Sequence, residues 1–172
     1  MEFLKQSLSF ISVVLILSCV SRKTVLYRPS ENTTTLNMNG IFYRKLNEGI
    51  GSFILYRDGV YLYNSVSNCR TIECHTNHIA KHSKRQTKGN YYDEKGDWGI
   101  YNQTSNKIRI DRYWPIGFGS YGIQSMKGNI LDSETIEITE FNGKNLKENW
   151  IFHFHPYSPK PDSTNQFIKG LE

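Results

Sequence analysis

Long hydrophobic runs are scarce in this chain. The longest, Leu8 to Leu17, lies at the N-terminus and is about half the roughly 20 residues that a membrane-spanning helix needs. Beyond it no segment keeps a sustained 3.6-residue apolar period, which excludes a helical bundle. The one stretch that suits a short helix, Thr76 to Lys84, is poor in apolar residues. A Gly-x-Ser-x-Gly nucleophile elbow is missing. Gly117-Phe118-Gly119-Ser120-Tyr121-Gly122 is rich in glycine, but no strand–helix context follows it. That excludes a phosphate loop and suits a turn or bulge leading into a strand. Acidic pairs such as Glu134 with Glu137, or Asp93 with Glu94, fall in turns or on polar strand faces. General acid–base work needs a cleft and shifted pKa values, and these positions promise neither. The expectation is a non-enzyme without a cofactor. The formal charge is +5, scattered and without a basic block. It points to solubility and some attraction to anionic surfaces, and away from nucleic acid.

Cysteine is scarce too, and its placement is informative. There are three: Cys19, Cys69 and Cys74. Cys19 closes the N-terminal apolar stretch. That stretch follows a short n-region with Lys5 and ends at small Ser18, which is the layout of a signal peptide. Arg22 and Lys23 follow soon after. The run Ile16-Leu17-Ser18-Cys19 resembles the lipobox of bacterial lipoproteins. The resemblance implies cleavage before Cys19, acyl chains on Cys19, and a protein held at a membrane outside the cytoplasm. An uncleaved N-terminal anchor and a plain secretory signal remain as alternatives. With Cys19 acylated, Cys69 and Cys74 are left as a candidate disulfide in an oxidising compartment. Two free thiols in a loop are the alternative.

Aromatic residues make up 13% of the chain, 11 of them tyrosine, and many stand beside β-branched residues. That is strand composition. Strands are expected near Gly40 to Lys45, Ser52 to Arg57 and Val60 to Ser65. The Asp58-Gly59 pair between the last two signals a type I′ hairpin. Further strands are expected at Trp98 to Gln103, Lys107 to Tyr113, Tyr121 to Met126 and Asn129 to Leu131, with Lys127-Gly128 as the turn between the last pair. Thr135 to Phe141 and Asn149 to His155 follow, with a turn at Asn142-Gly143. The period of two places Trp150, Phe152 and Phe154 on one face and Ile151, His153 and His155 on the other. Ile108, Ile110, Ile136 and Ile138 join the first set as expected core. Short antiparallel strands joined in sequence favour an all-β up-and-down meander. A lipocalin-like barrel or half-open barrel is the leading form, and a β-sandwich is the alternative. The expected layout is a signal peptide over 1–18, a lipidated tether over 19–37, a β-meander domain over 38–158 and a C-terminal tail over 159–172.

Four places carry a wider resemblance. They are the signal ending in Cys19; Gly40-Ile41-Phe42-Tyr43 with Leu55-Tyr56-Arg57-Asp58-Gly59; Trp98-Gly99-Ile100-Tyr101 leading into Lys107-Ile108-Arg109-Ile110; and the tail Pro159 to Phe167. Together they resemble small lipoproteins of Bacteroidetes-type bacteria, a group with no activity to carry over. The resemblance implies a cell-envelope location, lipid-anchored at the outer membrane and facing the periplasm or the surface. It implies no catalytic residue.

Two histidine groups are candidates for metal. Cys69-x4-Cys74-His75-x2-His78-x3-His82 gathers ligand types, but its spacing matches no finger pattern. It also lies among Lys81, Lys84, Arg85 and Lys88, and reads better as a solvated basic loop stapled by a disulfide. His153 and His155 point the same way on one strand and offer two imidazoles to a metal, with a third ligand still to be found. Partially exposed histidines before Pro156 are the plainer reading. The functional expectation is a membrane-anchored, non-enzymatic binding or structural module. Its partners are the membrane, through the N-terminal lipid, and a small apolar molecule or another envelope protein. A metal-binding protein or enzyme built on the histidines is the alternative.

Overall fold

Alternation of large apolar and polar side chains takes this chain back and forth eight times, and the last strand pairs with the first. The computed structural model describes residues 25–29, 34–86, 95–117, 119–163, 165 and 167–169, with the backbone alone at 66–67 and 82–86. The elements in order are β1 (Leu26–Tyr27), β2 (Gly40–Leu46), β3 (Gly49–Leu55), β4 (Val60–Ser67), helix α1 (Ile72–Gln86), a 3₁₀ turn (Lys95–Asp97), β5 (Trp98–Thr104), β6 (Lys107–Gly117), β7 (Ser120–Asp132), β8 (Thr135–Phe141), β9 (Lys144–Pro156) and β10 (Ile168–Lys169). Strands β2 to β9 form a closed antiparallel barrel in sequence order. Closure comes from β9 pairing with β2, with Phe42 opposite Phe154. This is the lipocalin-like up-and-down barrel, and closure leaves it no exposed sheet edge.

Turn chemistry departs from expectation at two places. Asp58-Gly59 is not a type I′ pair. Gly59 N donates to Tyr56 O at 3.0 Å, and Tyr56 N donates to Val60 O at 3.0 Å. Of the loop residues only Gly59 has a positive φ, 79°. The result is a three-residue connection, a type I turn followed by a left-handed glycine. Lys127-Gly128 is not a turn either, since β7 runs unbroken through it with a register shift against β8. A Cβ at Gly128 would lie 1.8 Å from the Glu137 carbonyl oxygen. The glycine is there because two backbones approach closely. Asn142-Gly143 is the type I′ pair, with φ of 50° and 77°.

The barrel has two apolar layers. Inside lie Phe42, Phe53, Leu55, Tyr61, Tyr101, Ile108, Ile110, Met126, Ile136, Ile138 and Phe152, with Trp150 and Phe154 packed against them. The expected core of β6, β8 and β9 therefore faces inward. Outside, Ile41, Ile54, Val60, Leu62, Trp98 and Tyr113 form a second cluster on the opposite face of β2 to β6. It is covered by Ile79 of α1, by Leu26 and by Ile168. Each such side chain contributes about 1.5–3 kcal/mol when fully buried.

The stretch read as a solvated loop is helix α1. Thr71 caps it, its Oγ1 accepting from Cys74 N at 3.2 Å, and Glu73 sits favourably in the first turn. Cys69 and Cys74 are joined by a disulfide with their Cα atoms 5.4 Å apart. Ile72, His75 and Ile79 share one helix face, and His75 and Ile79 are fully buried against the barrel. Tertiary docking compensates for the poor apolar content.

Parts of the ranges expected as tether and tail pack on the barrel. Leu26 pairs with Ile168 in a small parallel sheet. Leu36 and Met38 are buried at one end of the barrel interior, and Asn37 N donates to Ser133 O at 2.8 Å. In the tail, Lys160 Nζ donates to Met38 O at 2.5 Å, and Tyr56 Oη donates to Pro161 O at 2.8 Å. Segments at both ends of the chain thus pack on the barrel.

Candidate functional site

One end of the barrel interior is filled and the other is hollow. Leu36 and Met38 stopper the end where β2 and β8 begin. The other end holds a cavity of about 360 Å³, at the small end of the roughly 300–1,000 Å³ usual for ligand pockets. The cavity lies beside the β2–β3 and β8–β9 turns, since Leu46 and Phe141 line it. Its walls follow strand parity. On β2, Phe42 faces inward and so does Arg44. On β6, Ile108 and Ile110 face inward, and Arg112 and Trp114 continue the row.

The lining is mostly aromatic: Phe53, Tyr61, Tyr63, Trp114, Phe141, Trp150 and Phe152, with Gly51, Met126 and Gln124. The Phe53 ring lies 4.8 Å from Phe152 and 5.3 Å from Tyr61, centroid to centroid. Two guanidiniums are set into this wall. Arg44 Cζ stands 4.3 Å from the Trp150 ring centre and 5.7 Å from that of Phe152. Arg112 Cζ stands 4.1 Å from the Tyr63 ring and 5.0 Å from Trp114. Arg112 is 7% exposed, and its Nε donates to Gln124 Oε1 at 2.7 Å. Among the described residues no carboxylate lines the cavity.

Electrostatics mark the same wall. Burial pulls the Arg44 guanidinium below its ordinary value, with Tyr63 acting the other way. Burial pushes the Tyr61 phenol well up, while neighbouring Arg112 favours the ionised form. The Tyr61 hydroxyl is completely buried, and beside Arg112, which can only donate to it, its proton has no acceptor among the described residues. Trp114 and Leu46 are partly exposed and form the apolar lip of the cavity.

The histidines expected as metal candidates lie elsewhere. His153 is exposed on the outer face of β9, opposite Tyr43 and Thr135. His155 lies on the same face with its ring 6.3 Å from Tyr43. Among the described residues no cluster of three or more His, Cys, Asp or Glu gathers anywhere. In the other candidate group the two cysteines are bonded to each other, and the His82 side chain lies outside the described residues. His75 turns inward beneath α1, where its Nε2 lies 2.7 Å from Ser52 Oγ. A serine and an imidazole at that distance have nucleophile–base geometry. Both side chains are 0% exposed, however, and His75 Nδ1 is buried without a partner. Solvent does not reach the pair, which suits a packing contact under the helix.

Cys19, the expected lipidation site, also lies outside the described residues. Among the described residues no helix is long and apolar enough to cross a membrane. The sequence reading passed over Arg44, Tyr61, Arg112 and Gln124. Parity carried the signal for both arginines, each two residues beyond an inward apolar side chain. The expected strand on β6 ended at Tyr113, and Arg112 was not assigned to its inward face.

Comparison with known proteins adds no relative: no protein-family profile, no curated protein and no solved structure matches this chain.

Proposed function

We propose that this chain is a lipid-anchored binding protein of the bacterial cell envelope. Acyl chains on Cys19 hold it at the outer membrane, facing the periplasm or the surface, and the open end of its barrel takes up a small, largely apolar molecule. The observation that carries the binding role is the cavity itself. It is about 360 Å³ of space walled largely by aromatic rings, in a barrel whose other end is filled by Leu36 and Met38. Protein interiors normally pack to crystal density, so hollow space with a few fixed polar groups is the signature of a ligand pocket. The anchoring role rests on the lipobox-like run ending at Cys19.

The test fills the cavity. Gly51 lies in its wall, and a Cβ there would meet only the flexible Leu46 side chain, at 3.3 Å. Gly51→Leu should therefore fold and occupy the pocket. A neutral probe whose fluorescence rises in apolar surroundings, N-phenyl-1-naphthylamine, should bind the wild-type chain and not Gly51→Leu. Equal binding to both, or none to the wild type, would refute the reading.

A further inference from the structure

We propose that the cavity is an anion site whose ligand is a monocarboxylate with a short acyl or single-ring body, its carboxylate held between the Arg112 guanidinium and the Tyr61 hydroxyl. This rests on the cavity being a ligand site, as proposed above, and specifies what it takes.

The argument starts from unmet charge. A guanidinium withdrawn from water without a counter-charge is costly. Arg112 is so withdrawn, at 7% exposed, and half-buried Arg44 adds a second positive charge to the lining. They stand on opposite walls, because β2 and β6 are half a turn apart in the eight-strand ring. Stacking on Trp150, Tyr63 and Trp114 offsets part of the cost. Stacking uses the faces of the guanidinium, however, and leaves its in-plane N–H donors for an acceptor.

Gln124 then orients the fork. It accepts from Arg112 Nε at 2.7 Å, which fixes the plane while the terminal nitrogens stay available for a planar pair of oxygens. Tyr61 supplies an independent observation. Its side chain is 0% exposed and lines the cavity, and its hydroxyl proton has no acceptor among the described residues, because the neighbouring Arg112 can only donate to it. Buried hydroxyls are almost always satisfied, and a carboxylate oxygen beside Arg112 would satisfy this one. A neutral ligand would leave the buried Arg112 guanidinium uncompensated. A phosphate ester offers the same acceptor chemistry but carries more charge and more oxygens than this mostly aromatic wall has donors to meet.

The experiment uses the full chain with N-phenyl-1-naphthylamine bound, displaced near neutral pH by octanoate, octanol or octyl phosphate. Octanoate should displace the probe at about a tenfold lower concentration than octanol, the ratio that one charge-assisted hydrogen bond supplies. Octyl phosphate should fall behind octanoate. Arg112→Met and Tyr61→Phe should each remove most of the preference for octanoate over octanol. Tyr61→Phe keeps the ring and deletes only the hydroxyl, so it holds the fold even if Arg112→Met does not. Octanol equal to octanoate, octyl phosphate ahead of both, or a preference that survives Tyr61→Phe would overturn the carboxylate assignment while leaving the pocket standing. A wild-type chain that binds neither the probe nor, by calorimetry, octanoate would overturn both.

Discussion

Acidification should loosen this domain through one residue, His75. Its ring is sealed between α1 and the barrel, with Nε2 on Ser52 Oγ at 2.7 Å and Nδ1 unpartnered. Burial, helped by the nearby His78, depresses its pKa to about 4. In the unfolded chain the same imidazole protonates near its ordinary value of 6.5. Between those two values the unfolded state binds more protons than the folded one, so stability falls as pH falls. The contribution is fully present above about pH 6.5 and is exhausted below about pH 4. A shift of that size corresponds to at most roughly 3 kcal/mol, a large share of the 5–15 kcal/mol typical of a domain. Urea melts of the wild type and of His75→Gln, followed by tryptophan fluorescence across this window, isolate the effect. Glutamine keeps a hydrogen-bonding tip beside Ser52 but cannot titrate. Other groups, such as Glu137 with its carboxyl held low by Asn129 and Asn149, contribute to both chains and cancel in the difference. The wild type should lose up to about 3 kcal/mol more than His75→Gln between about pH 6.5 and pH 4. Parallel losses in the two chains would refute the sealed-imidazole argument.

Three further outcomes are expected. Cys19→Ala should abolish fatty-acid labelling and release the protein from membranes or leave an unprocessed precursor; retained acylation would sink the anchor. Cys69 and Cys74 should resist alkylation until reduced, and Cys74→Ser should cost roughly 2 kcal/mol in a denaturant melt, as expected for so short a loop. Phe152→Ala should cost about 3 kcal/mol, near the low end for a buried phenylalanine because the site already borders a cavity; His153→Ala, exposed on the other face of β9, should be close to silent, and the reverse order in urea melts would mean that the strand's facing is wrong.

The sequence by itself determined most of the strands and their facing. A period of two needs no tertiary information, because successive side chains in a strand leave on opposite faces. For that reason Trp150, Phe152 and Phe154 were legible as interior and His153 and His155 as exterior. Asn142-Gly143 was legible because few residue pairs tolerate two left-handed conformations in a row. Helix α1 was not. Its inward stripe is Ile72, His75 and Ile79, and a histidine in the middle breaks the apolar pattern. Only the outer cluster over β2 to β6 makes that stripe worth burying. Gly128 was read as a turn because, in sequence, a glycine needed for close backbone approach looks the same as one needed for a turn. The cavity is the clearest case. Parity can send Arg44 and Arg112 inward, but it cannot say whether they meet packing or space. That depends on closure of β9 onto β2 and on Leu36 and Met38 filling the opposite end, and both are contacts between residues far apart in the chain.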